Sequence, residues 1–238
     1  FVYRQFRATT PMLPPALFRS ADFTIGNGIT ALMYAGLGGF LFFYPLNLIQ
    51  VQGYSPQIAG LTMIPFAVLI AGMSWITGKW VDKIGPRFLL IIGQMLLAIG
   101  YFLFSMPEIT AGPTDFFSTY FIPILFLGSG MGMSVVPVTT AVMNSVPETR
   151  SGTASGVNNT IARASQVIAI AVMGGMALSV FQENVINFLR EYNPLLLDIP
   201  GLYQELPKLA EARLPGSASS SDKIIFLEVV QLSFVTVF

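Results

Sequence analysis

The chain has 238 residues, of which 53% are hydrophobic and 10% are charged, and its 12 basic residues balance 12 acidic ones. An ordinary soluble domain carries about 25% charged residues, so this composition, with a mean hydropathy of +0.68, is typical of a membrane protein. The absence of cysteine and histidine excludes disulfides, zinc sites built on these residues and every catalytic triad with an imidazole base. The zero net charge gives no indication of a nucleic-acid partner.

Five long apolar runs, bounded by charged residues, Pro or Gly, follow one another along the chain. A helix needs about 20 apolar residues to cross a bilayer core about 30 Å thick, and each run approaches or exceeds that length. The runs contain Gly and Pro and lack the alternation that a spanning β-barrel requires. We therefore predict an all-α polytopic transmembrane bundle. Its five full spans cover residues 23–48, 58–80, 88–106, 117–143 and 153–181.

The remaining segments flank this bundle, which occupies residues 23–181. Residues 1–22 contain basic residues and prolines but no apolar core, and we predict that they form a cytoplasmic segment. Residues 182–222 are polar and rich in proline, which predicts an extracytoplasmic loop. Within it, residues 201–213 can form either a short amphipathic surface helix or solvated chain. The last apolar run, within residues 223–238, is too short to span a membrane and is predicted to be a truncated sixth helix.

The distribution of Lys and Arg predicts the orientation, because basic residues accumulate in cytoplasmic loops. With the amino end inside, more basic residues lie on the inner side than on the outer side. We predict a multi-pass protein of the cell membrane, specifically a bacterial inner membrane, whose amino end is cytoplasmic. The inner residues are Arg4, Arg7, Arg19, Lys79, Lys83, Arg87, Arg150 and Arg163, and the outer residues are Arg190, Lys208, Arg213 and Lys223.

The segment between the second and third runs reads Gly-Lys-Trp-Val-Asp-Lys-Ile-Gly-Pro-Arg, from Gly78 to Arg87. Gly78 permits close approach of a neighbouring helix, and Gly85 permits a tight turn into the next span. Asp82 can lie at the positive end of another helix, while Lys83 and Arg87 can pair with carboxylates or lipid phosphates. Such helix-end interactions contribute about 0.3–2 kcal/mol, which biases an equilibrium between two conformational states without locking it. We predict that these five residues form a gating motif.

This segment resembles the G-x-x-x-D-[RK]-x-G-x-[RK] signature of the major facilitator superfamily, which lies between the second and third helices of each six-helix half. By this resemblance, the chain looks like one half of such a protein, beginning with its first helix. Two further stretches, 11–19 and 147–163, resemble the carboxy-terminal bundle of the fourteen-span drug/proton antiporters. Ala164 and Ser165 stand where that branch often has Gln and Gly.

The resemblance implies a secondary active transporter that exports hydrophobic or amphiphilic compounds, with proton-coupled multidrug efflux by alternating access as the specific expectation. It also implies that the lipid bilayer and the missing amino-terminal half are partners, and that there is no cofactor, metal, nucleic-acid partner or enzymatic activity. The alternatives are an exporter of another solute class on the same fold, or a non-transport module such as a receptor or an anchoring bundle. No legible nucleophile–base pair or metal cluster favours an intramembrane hydrolase.

A polar stripe runs along the first predicted span. Asn27, Thr30 and Tyr34 lie within one narrow arc of a helical wheel. In the family that the chain resembles, the first and fourth helices of each half line the central cavity, so these three residues are candidates for a substrate cavity. Hydrogen bonding to a neighbouring helix is the alternative.

Two charged residues are candidates for coupling or for interhelical contacts. Arg163 lies inside the fifth predicted span, where it either snorkels to the inner surface or pairs within the bundle. Asn158 and Asn159 precede it and are expected to cap or bridge helices. Glu228 is the carboxylate that falls inside the sixth run, where it either exchanges protons or marks the outer membrane boundary.

The fourth predicted span contains Gly128, Gly130 and Gly132 in a G-x-G-x-G pattern. A dinucleotide site would require a preceding strand, and the surrounding residues form an apolar helix instead. We therefore predict that these glycines serve close packing between helices.

Overall fold

The computed structural model of the protein describes residues 15–107, 110, 112–192, 194–198, 202–206 and 220–235. Within these residues α-helices dominate and no strand is present. The helices are α1 Ala21–Gln50, α2 Pro56–Leu61, α3 Ile64–Ile84, α4 Pro86–Phe104, α5 Phe116–Thr119, α6 Phe121–Asn144, α7 Ser151–Tyr192, α8 Leu202–Glu205 and α9 Ser220–Val235.

Five helical stretches are long and apolar enough to cross a membrane, namely α1, α2 together with α3, α4, α6 and α7. A turn at Thr62 and Met63 separates α2 from α3. Pro65 lies in the first turn of α3 and has no N–H to donate, so regular helical hydrogen bonding is interrupted there. The predicted all-α bundle with five spans is confirmed.

The first three spans begin at residues that satisfy or remove free N–H groups. The Ser20 hydroxyl accepts a hydrogen bond from the Phe23 N–H at the start of α1, over 3.3 Å. Ser55 caps α2 in the same way, and Pro56 follows it as the first helical residue. Pro86 opens α4 directly after the turn from α3. Local sequence signals therefore define where these three spans start.

We call the end of the bundle that contains the α3–α4 turn the motif end, and the opposite end the far end. In the far half, an aromatic cluster joins α1, α3, α4 and the start of α6. The Phe40 ring lies 5.0 Å from Phe66 and 5.2 Å from Phe104, and the Tyr44 ring lies 5.3 Å from Phe104 and 5.7 Å from Tyr120. Edge-to-face contacts of this kind favour a fixed arrangement of these helices.

Helix α6 lies between α3 and α4, and its glycines face both neighbours. A Cβ added at Gly130 would lie 2.7 Å from the Leu97 amide nitrogen of α4. Cβ atoms added at Gly128 and Gly132 would lie 2.8 and 2.7 Å from side-chain atoms of Leu69 and Met73 of α3. Since real Cβ atoms do not approach so closely, only glycine fits at these positions. The packing interpretation of the G-x-G-x-G pattern is confirmed.

Helix α7 continues to Tyr192, eleven residues beyond the predicted end of the fifth span. The prediction that the loop begins at residue 182 is therefore wrong. Phe181, Val185 and Leu189 recur every four residues and are fully buried, which gives the extension an apolar face. This face packs against residues that include Leu196 of the Pro194–Asp198 turn. The far end of α7 is helical because it has its own small core.

Helix α9 corresponds to the predicted sixth run and has 16 residues. Phe226, Val229 and Val230 are buried in the same small core as the far end of α7. Of the segment 201–213, which was expected to be either a surface helix or solvated chain, the structure describes only α8 and Leu206, both at its beginning. The rest of that prediction, and residues 1–14 of the predicted cytoplasmic segment, lie outside the described residues.

Candidate functional site

The turn at the motif end consists of one residue, Gly85, between the last residue of α3 and Pro86. Its backbone has φ 86° and ψ 150°, a conformation that residues with a Cβ rarely adopt. Its N–H donates to the Val81 carbonyl over 3.0 Å and closes α3. The tight turn expected from the sequence is present, and it fixes the positions of the charges on both sides.

The Arg87 guanidinium at the start of α4 lies 3.5 Å from the Asp22 carboxylate in the first turn of α1. The two side chains are 87% and 67% exposed, so solvent screens their attraction. Pairs of this type contribute about 0–1 kcal/mol. The contact joins the first and third spans at the motif end, but it is weak enough to break during a conformational change.

The other gating candidates, Asp82, Lys83 and Gly78, are exposed at the end of α3. Neither Asp82 nor Lys83 forms an ion pair with any residue that the structure describes. A Cβ added at Gly78 would meet nothing within 4 Å, so the approaching helix that this glycine suggests is not one of the described helices. Lys79 lies with its Nζ 3.2 Å from the centre of the Trp75 ring, a cation–π contact along α3. The motif thus leaves a carboxylate and a glycine available to a further partner.

Asn27 and Thr30 are almost completely buried, at 3% and 0% exposure. The Asn158 amide of α7 donates to the Asn27 Oδ1 over 3.1 Å and to the Thr30 Oγ1 over 2.8 Å. Asn27 in turn donates to the Phe23 carbonyl over 2.8 Å. The structure brings these residues together in an interhelical network, which is the hydrogen-bonding role that the sequence allowed as the alternative to a cavity.

A cavity lies elsewhere on α1, in the far half between α1, α4 and α7. Its volume is about 570 Å³, and none of Asn27, Thr30 and Tyr34 lines it. Tyr34 is instead partly buried against the hydrophobic core that contains the aromatic cluster. The cavity wall is mainly aromatic and thioether in character, and includes Phe43, Tyr44, Tyr101, Phe104, Met173 and Met176.

The two charged candidates lie far apart. Arg163 is exposed on α7, and no described residue forms an ion pair with it. Glu228 is exposed on α9, between the buried residues Phe226 and Val229. The part of the chain that the structure describes contains no group of three or more acidic side chains that could hold a metal ion.

One polar contact could not be anticipated from the sequence. The Gln94 Nε2 of α4 donates to the Ser134 Oγ of α6 over 3.1 Å, and Ser134, which is fully buried, donates to the Gly130 carbonyl over 2.8 Å. A Gln inside an apolar run is the only local signal. Since hydropathy does not identify its partner helix, the contact was missed.

Comparison with known proteins supports a common origin with drug exporters. A multidrug resistance protein, Stp, of Mycobacterium tuberculosis is 27% identical over 74% of this chain and 32% of its own length. The multidrug efflux pump LfrA of Mycolicibacterium smegmatis is 31% identical over 92% of this chain and 40% of its own length. The tetracenomycin C resistance and export protein of Streptomyces glaucescens is 28% identical over 75% and 32%. The chain spans about a third to two fifths of the length of these relatives.

The sequence profile of the Major Facilitator Superfamily matches residues 4–170, which is more than half of the chain. The match includes the Gly85 turn and the first four spans. The chain has five helices long and apolar enough to cross a membrane, and its relatives are named as multidrug resistance and efflux proteins. It is therefore a multi-pass membrane protein of a transporter family. The chain belongs to the Major Facilitator Superfamily.

Proposed function

We propose that this chain is the carboxy-terminal half of a bacterial exporter that exchanges protons for hydrophobic or amphiphilic compounds. The observation that carries the proposal is the similarity over most of the chain to relatives named as multidrug efflux and export proteins. We assign transport to the complete protein, and we assign no catalytic residue to this chain. A substrate would bind between two halves that alternate between inward-open and outward-open states.

The geometry of the motif end supports a gating role. Asp82 is exposed at the end of α3 and has no ionic partner among the described residues, while Gly78 beside it has open space around it. A helix amino terminus from the other half can approach at this glycine and attract the carboxylate by its dipole. Such a contact contributes about 0.3–2 kcal/mol, which is enough to bias two states and small enough to be broken in each cycle.

The far-half cavity supports the proposed substrate class. Its aromatic and methionine side chains offer a polarisable, adaptable surface, which suits apolar compounds of varied shape.

We also propose that the motif end faces the cytoplasm and the far end faces outward, because the basic residues concentrate at the motif end.

Coexpression of two separate polypeptides tests the proposal. One is this chain and the other is the preceding part of the full-length protein, in a host that lacks its own exporters. We expect resistance to a hydrophobic cation such as ethidium only when both are present, because each half supplies one wall of the transport path. Resistance from this chain alone would contradict the proposal. So would a full-length protein that is abundant in the membrane but confers no resistance to any hydrophobic compound tested.

A further inference from the structure

The motif half of α3 carries aromatic and basic side chains on one exposed face. Five exposed residues recur there at the spacing of neighbours on one side of a helix, namely Trp75, Ile76, Lys79, Trp80 and Lys83. We call these five residues the basic-aromatic face of α3. The two tryptophans are 66% and 50% exposed. They are the two tryptophans of the whole sequence, so the residue type that favours membrane interfaces is confined to this face.

The Lys79 ammonium is held against the lipid side of the turn that precedes it. Its Nζ lies 3.2 Å from the centre of the Trp75 ring, one helical turn back along α3. Helix α3 ends at Ile84, so Trp75 lies nine residues, or roughly 14 Å, before that end. The headgroup layer on each side of a bilayer is only about 5–8 Å thick. The ammonium therefore points into the lipid layer and not towards the water beyond the turn.

The described residues do not neutralise the charge of this face. The ion pair that the structure records lies elsewhere at the motif end, and it involves neither Lys79 nor Lys83. Asp82 borders the face at one edge, but it forms no ion pair with either lysine among the described residues. Two cations and one bordering carboxylate leave the face with a positive charge. Its natural occupant is therefore an anion.

The same side of α3 changes character towards the far end. Ile64 and Val68 are 53% and 64% exposed and apolar, which suits contact with hydrocarbon. Between them and the tryptophans lies Gly72, where an added Cβ would meet nothing within 4 Å. From the motif end inward, the helix thus presents lysines, then indole rings, then an open apolar surface. Charge, interface and hydrocarbon follow one another in the same order along a phospholipid molecule.

We propose that the basic-aromatic face of α3 binds an anionic phospholipid of the leaflet at the motif end. The phosphate lies by Lys79 and Lys83, and the acyl chains lie along Gly72 and Val68. Charge complementarity identifies this occupant, because each lysine near a membrane surface favours an anionic over a neutral lipid by about fivefold. The site requires only that α3 spans a membrane, so it is independent of the proposed transport activity.

Quenching of tryptophan fluorescence by brominated lipids tests the site. The full-length protein is reconstituted in vesicles of phosphatidylcholine with a rising fraction of phosphatidylglycerol, and bromine is placed on the acyl chains of one lipid at a time. The signal of Trp75 is the difference between wild type and Trp75→Phe. We expect brominated phosphatidylglycerol to quench this signal at a several-fold lower mole fraction than brominated phosphatidylcholine, because binding enriches it at the face.

Two results of this measurement would overturn the site. Equal quenching by the two lipids would show that the face is in contact with lipid without selecting an anionic headgroup. No quenching by either lipid would show that another part of the protein covers the face.

Substitutions of Lys79 identify the charge that carries the preference. Lys79→Gln should lower the preference for phosphatidylglycerol about fivefold, and Lys79→Arg should retain it. Arg190→Gln is the control with the same loss of charge, since Arg190 is exposed on α7 at the far end. It should leave the quenching of Trp75 unchanged. An unchanged preference in Lys79→Gln, or an equal loss in Arg190→Gln, would contradict the assignment.

Inorganic phosphate distinguishes a lipid site from a site for soluble anions. Added on both sides of the vesicles at constant ionic strength, it should not relieve the quenching, because it lacks the acyl chains that α3 contacts. Relief of the quenching by inorganic phosphate would show that the lysines bind soluble phosphate instead, and the lipid site would be wrong.

Discussion

The Asn158 amide of α7 donates to the Thr30 hydroxyl of α1 over 2.8 Å, and the two residues are 128 positions apart in the sequence. The same amide also donates to the Asn27 Oδ1. No water competes for these groups inside a bilayer, so each lost contact leaves a polar group unsatisfied. This pair therefore connects the first and fifth spans at a defined register.

Replacement of Asn158 by alanine should lower the free energy of unfolding by about 1–2 kcal/mol, because it removes two interhelical hydrogen bonds that average about 0.6 kcal/mol each in membrane proteins. Denaturation of the purified protein in mild detergent measures the change. Ser179→Ala is the matched control, since that exposed side chain on α7 donates only to the Gly175 carbonyl of its own helix, over 3.0 Å. Equal effects of the two substitutions would contradict the role of the network.

Replacement of Gly130 by alanine should destabilise the bundle by about 1–3 kcal/mol, because the added methyl group overlaps the backbone of α4. The Cβ would lie 2.7 Å from the Leu97 amide nitrogen and 2.8 Å from the Gly93 carbonyl oxygen. Gly175→Ala serves as control, since a Cβ there meets nothing within 4 Å. Thermal unfolding should separate the two variants, and a Gly130→Ala protein as stable as wild type would show that α4 and α6 are not so close.

Substitutions of two carboxylates at the motif end should affect efflux differently. Asp82→Asn in the full-length protein should reduce efflux several-fold at normal abundance, because its charge biases the two transport states. Asp22→Asn removes only the exposed pair with Arg87, worth about 0–1 kcal/mol, and should leave efflux nearly unchanged. Dye efflux from loaded cells, normalised to membrane abundance, measures both. Wild-type efflux by Asp82→Asn would exclude the gating role.

The orientation is tested with reporter fusions. A reporter inserted after Lys83 should lie in the cytoplasm, because basic residues concentrate at the motif end. A reporter inserted between Pro200 and Pro215 should lie outside the cell membrane. Paired alkaline phosphatase and fluorescent-protein fusions distinguish the two compartments. The reverse pattern would invert the assignment of every loop.

The existence and order of the five spans could be predicted because hydropathy is a property of each segment alone. The one-residue turn at Gly85 was predictable for the same reason, since a local motif specifies it. The extension of α7 was not, because exposed polar residues such as Glu183 and Glu191, which lie off the buried stripe, lower the average hydropathy of the segment. Only the burial of Val185 and Leu189 by residues beyond position 193 makes the stripe apparent.

The sequence restricted the possible contacts of the polar residues but did not identify their partners. A helical wheel groups Asn27 and Thr30, but it does not tell whether that arc faces a cavity or another helix. The answer depends on Asn158 of α7, a helix that also approaches α1 closely where Gln166 packs against Gly38. Such relationships arise from tertiary packing, so a single sequence does not contain them in readable form.

Transport by the purified full-length protein in liposomes tests the central claim most directly. Vesicles are given a pH gradient and a fluorescent hydrophobic cation, and the movement of the dye against its concentration gradient is recorded. We expect uphill movement that depends on the pH gradient and stops when a protonophore collapses it. Dye movement only down its own gradient, or uphill movement that the protonophore does not affect, would contradict proton-coupled export.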